Sequence, residues 1–117
     1  MTEMNAVLKS EDVNVVLDTD SREEDRILFF HVSHLVSSKL VDDPKKAFEL
    51  ETRSDMLLMG ILKIRGVQKA SLDRYKIRVE RSLAIDGGKI IKAVEALVRE
   101  TVLAARGDLD WNNPIED

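Results

Sequence analysis

Punctuation by proline and glycine constrains this chain more than any single residue does. Breaks at Asp43–Pro44, Gly66, Gly87–Gly88 and Gly107 separate four apolar-patterned stretches, each long enough for a helix. Before the first, "DTDSREED" carries Ser21 and, three residues on, Glu24, the spacing of a capping box. Glu23, Glu24 and Asp25 suit the positive end of a helix dipole there. Shorter "VNVVL" (13–17) upstream fits either an edge strand or an apolar lead-in.

Wound at 100° per residue, the stretch from Arg22 to Val41 puts Leu28, Phe29, Val32, Leu35, Val36 and Leu40 on one arc. Ile27, Phe30 and Val41 fall on another side, among His31, Ser33, His34, Ser37 and Ser38. A helix apolar on two sides is covered on two sides, so the spacing predicts a homodimer through Phe29, Phe30, Val36 and Leu40.

A second helix is expected from Asp43 as cap and Pro44 as first residue, through Ala47, Leu50, Leu57, Leu58, Ile61 and Ile64, to a stop at Gly66. A third runs through Leu72, Tyr75, Val79 and Leu83, until "AIDGGK" (84–89) breaks it. The fourth, Lys89 to Arg106, turns Ile90, Ile91, Val94, Leu97, Val98 and Val102 inward. The expected fold is therefore all-α: a four-helix bundle-like domain over 21–106, with an N-terminal arm (1–20) and an acidic tail (107–117) bearing Trp111 and Ile115.

With 117 residues the chain is one domain, and 44% apolar with 34% charged residues exclude a disordered chain. No apolar run approaches the roughly 18 residues of a membrane span. The first residues lack the basic start and apolar core of a secretion signal. No cysteine is present, which removes disulfides and thiolate chemistry and fits a cytoplasmic protein.

The net charge of −4 is unevenly spread. Residues 61–81 hold seven cations against Asp73 and Glu80, a local +5 that leaves −9 for the rest. In "LKIRGVQKASLDRYKIRVERSL" (62–83), Gly66 supplies a turn, and Ile61, Val67, Leu72 and Tyr75 fall where two helices would be held together. The stretch resembles a helix-turn-helix, which implies a recognition helix in a nucleic-acid groove. It departs from that pattern at Leu62, where a small residue is usual, and at Arg65, where an apolar one is. On such a helix Arg74, Arg78 and Arg81 share the outer face at i, i+4 and i+7, with Lys63, Arg65 and Lys69 adding charge. DNA or RNA binding in a regulatory role is the first functional expectation. A protein-interaction module working through the first helix is the second.

Arg26 followed by His31 resembles the Arg-His signature of HEPN ribonucleases, although Ile27 stands where a polar residue is usual. The resemblance implies a ribonuclease as a third expectation. His31 and His34 are three apart but too few for a metal, and no acid precedes either at the helical Glu-x-x-His spacing. "GGK" (87–89) lacks the remaining residues of a phosphate loop. No catalytic residue, metal or cofactor is expected.

Overall fold

A computed structural model describes residues 13–50 and 52–108. It replaces the expected helical bundle by a four-stranded antiparallel sheet with two α-helices on one of its faces. The chain order is β1 (Val15–Leu17), β2 (Ile27–Val32), a 3-10 turn (Ala47–Glu49), α1 (Arg53–Leu62), β3 (Val67–Asp73), β4 (Lys76–Arg81) and α2 (Gly87–Asp108). In space the strands run β1-β2-β4-β3. β2 and β3 are thus parallel with β4 inserted between them, a split β-α-β arrangement whose other edge is β1.

The segment expected as the first long helix is not helical. Its "ILFFHV" alternates along β2, with Leu28, Phe30 and Val32 buried while Phe29 and His31 face water. "DTDSREED" is the β1–β2 connection and caps no helix. Asp18 Oδ1 accepts from Asp20 N (2.8 Å), Ser21 Oγ from Phe29 N (3.1 Å) and Asp25 Oδ2 from Arg22 N (2.9 Å). Short Asp and Ser side chains satisfy turn amides as readily as those of a helix cap.

The expected third helix is also overturned. Residues 67–81 form a hairpin in which "KIRVER" alternates, burying Ile77, Val79 and Arg81. Arg74 opens the two-residue turn at φ 58°, the positive φ that primed hairpin turns need. Its backbone is gripped from both sides, since Arg74 N donates to Ser37 Oγ (3.1 Å) and Arg74 O accepts from Val36 N (2.8 Å).

The second expected helix exists only in its later half. It starts at Thr52, whose hydroxyl accepts from Asp55 N at 3.0 Å, and not at Asp43. It ends at Leu62 with Lys63 as its C-cap, short of the expected stop at Gly66, which takes φ +99° in the loop before β3, against Ile85 and Ile90. The fourth helix is present as α2, where Ile90, Val94, Val98 and Val102 form a fully buried i, i+4 stripe. These pack with Leu57, Leu58 and Ile61 of α1 onto Leu28, Phe30, Leu72, Ile77 and Val79 of the sheet, in one core.

Neither described helix is long and apolar enough to cross a membrane. Residues 1–12 of the expected arm and the tail residues Trp111 and Ile115 lie outside the described residues.

Candidate functional site

Because α1 and α2 lie on the same face, the opposite face of the sheet carries no helix among the described residues. Strand alternation brings three cross-strand rows to it. Val16, His31, Lys76 and Asp73 form the first; Phe29, Arg78 and Ser71 the second; Ile27, Glu80 and Lys69 the third. The Cβ atoms of directly opposite residues on such a face sit about 5 Å apart, so the members of each row are within reach of one another.

Phe29 is 43% exposed and Val16 58%, a large apolar outlay for a sheet surface. Arg78 Nη2 lies 3.7 Å from Glu80 Oε1. His31 Nε2 lies 2.5 Å from Asp18 Oδ2 at the β1 rim. The Asp18 carboxyl is held below its ordinary value by the Asp20 amide first, then by the His31 bond and the charges of His31 and Lys76. Lys69 and Lys76 form no ion pair among the described residues. Three cations against Asp73 and Glu80 leave the face almost balanced in sign.

The six cations expected on one recognition surface are dispersed. Only Lys69 and Arg78 stay together, on the open face. Arg74 lies in the hairpin turn, bonded to Asp73 at 2.9 Å. Lys63 caps the end of α1, and Arg65 lies in the α1–β3 loop.

Arg81 faces the other way and is 3% exposed. Its Nε donates to Asp25 O (2.7 Å), Nη1 to Ser82 O (3.2 Å) and Ile85 O (2.9 Å), and Nη2 to Glu23 O (2.8 Å). Arg81 is thus a latch between the β1–β2 connection and the start of α2. A helix puts positions 74, 78 and 81 on one side; a strand puts 78 and 81 on opposite faces.

The expected interface set is divided in the same way. Phe30 and Val36 are fully buried in the core, whereas Phe29 and Leu40 (57%) are exposed. No helix carries Arg26 and His31, and the HEPN-like arrangement is absent: Arg26 offers its carbonyl to Arg81 N (2.9 Å), and His31 holds Asp18. His34 pairs with Ser33 Oγ through Nδ1 at 2.8 Å, apart from the His31–Asp18 contact. No family model, curated protein or solved structure matches the chain.

Proposed function

We propose that this chain is a protein-interaction module whose working surface is the bare sheet face around Phe29 and Arg78. One observation carries the reading: an exposed aromatic stands directly opposite an arginine at the middle of a face that no helix covers among the described residues. Aromatic and arginine side chains are common interface anchors, the ring because it buries much area with two rotors to order and the guanidinium because it offers a planar fork of five donors. The mixed signs around them favour a protein partner with its own mixed charges over a uniformly anionic polymer.

Nucleic acid is the second reading. Phe29 with Lys69 and Lys76 is a small stacking platform of the kind single strands use. The helix-turn-helix form of that reading is withdrawn, because the hairpin takes the place of the recognition helix and Arg81 is buried.

The test is affinity capture with the full chain as bait, with Phe29→Asp and Arg78→Glu beside wild type and circular dichroism as the check on fold. A partner held by wild type and lost by both folded variants supports the reading. Retention by both variants sinks it. A labelled single strand bound by wild type at low salt, and released by both variants, transfers the face to nucleic acid.

A further inference from the structure

Among the described residues, the outer edge of β3 is paired over only half its length. At the end near the hairpin turn, Val41 and Leu72 exchange both backbone bonds at 2.8 Å. The covering chain then leaves β3, and Pro44 has no N–H with which to continue the pairing. A register shift between Val67 and Lys69 bends the strand at its other end.

Ladder alternation sends the N–H and C=O of Ala70 to the same outer side as those of Leu72. Among the described residues, none outside the β3–β4 hairpin bonds to them. Beside this unpaired edge, where Ala70 itself is 6% exposed, lies a groove of about 490 Å³, lined in part by Leu40, Asp42, Pro44, Leu62, Lys69 and Arg78.

We propose, resting on the protein-interaction reading, that this groove receives an extended peptide segment of a partner protein, added as an antiparallel strand at Ala70, in which an apolar side chain is followed by a carboxylate. Successive side chains of an added strand point to opposite sides of the sheet. The residue opposite Ala70 turns toward the helix layer, where Leu62 and Ala70 make an apolar floor. Its neighbour turns toward the bare face, where Lys69, Ser71 and Arg78 line the groove. Two cations on that side select an acid over a base. Asp42 on the facing wall disfavours a second carboxylate.

The experiment is fluorescence anisotropy on the full chain with three N-acetylated, C-terminally labelled heptapeptides of Ser/Gln background that begin with Leu-Glu, Leu-Gln or Leu-Lys, because Val41 already occupies the edge at Leu72 where residues ahead of the Leu would lie. The Leu-Glu peptide is expected to bind with Kd below ~1 mM, and the Leu-Gln peptide about 5-fold more weakly. The Leu-Lys peptide should fail, and Lys69→Glu with Arg78→Glu should reverse the order of Glu and Lys. N-methylation of the Leu amide should abolish binding, while N-methylation of the following amide is tolerated, because only alternate amides face β3.

Equal binding of the Glu and Lys peptides, indifference to Leu N-methylation, or no binding by any peptide overturns the proposal. Phe29 does not line this groove, so the broader reading is tested separately. If the peptides fail while Phe29→Asp still releases a captured protein, the groove assignment alone falls.

Discussion

Phe29 and Phe30 are neighbours in the chain and lie on opposite faces of one strand, the first 43% exposed and the second wholly buried. Their substitutions should therefore separate binding from stability. Phe30→Ala removes a core side chain and is expected to cost about 3–5 kcal/mol. Phe29→Ala should cost less than ~1 kcal/mol, as surface changes do, while weakening partner binding. Urea denaturation of both variants checks this. Equal losses at the two positions would mean that something covers the bare face.

Arg81 is expected to be irreplaceable in a way that Arg74 and Arg78 are not. Its guanidinium donates to four carbonyls from two separated segments, a fork that a lysine ammonium cannot reproduce. Arg81→Lys should cost roughly 2–4 kcal/mol, since buried carbonyls lose their donors. Gly87→Ala should act on the same junction, because an added Cβ there would sit 2.0 Å from Glu23 O. Thermal melts of Arg81→Lys, Gly87→Ala and Arg78→Gln test the ranking; a melt of Arg81→Lys matching that of Arg78→Gln would refute the latch.

What the sequence left legible follows from these neighbours. The stripe of α2 reads directly, because its polar and apolar residues segregate at 3.6 residues per turn. β2 does not read as a strand, because Ile27 and Phe29 are apolar on the outward side and hide the two-residue period. Those same residues are what make the bare face a candidate surface. The hairpin is hidden for a different reason. Its turn uses Arg74 at φ 58° where glycine or asparagine would have marked it, so "RYKIRVER" (74–81) can be wound as a helix with three arginines aligned. The plain alternation of Ile77 and Val79 with charged residues is the strand signal in this stretch.

Asp18 ties the rim of the face to pH. Its folded value lies below the ordinary 3.8, through the Asp20 amide and then His31 and Lys76. A depressed carboxyl contributes stability that is present above its unfolded value and is lost as pH falls through its folded one. Asp18→Asn should therefore be less stable than wild type at neutral pH, and the gap should close as pH falls below 3.8. Urea midpoints measured from pH 7 to acid check the sign. A gap that widens toward acid would show that the Asp18 contacts do not favour the charged form.

Ser54 controls whether the edge of β3 stays half covered. Its hydroxyl is fully buried and donates to Val36 O at 2.7 Å, fixing to α1 the chain that pairs with β3. Val36 N in turn reaches Arg74 O, and Val41 pairs with Leu72. Ser54→Ala leaves a buried carbonyl without its donor and should cost about 1–3 kcal/mol. That loss should be local, because the α2 stripe and the β2–β4 ladder do not involve Ser54. Hydrogen exchange should accordingly quicken at Val36, Val41, Leu72 and Arg74 N–H groups before it does in β4. An uncovered edge strand is a template for pairing with other chains, so the variant should also self-associate as concentration rises. Uniform acceleration across β2 and β4 would instead make Ser54 part of the global core. Unchanged exchange at Leu72 would mean that the covering segment is held by something other than this bond.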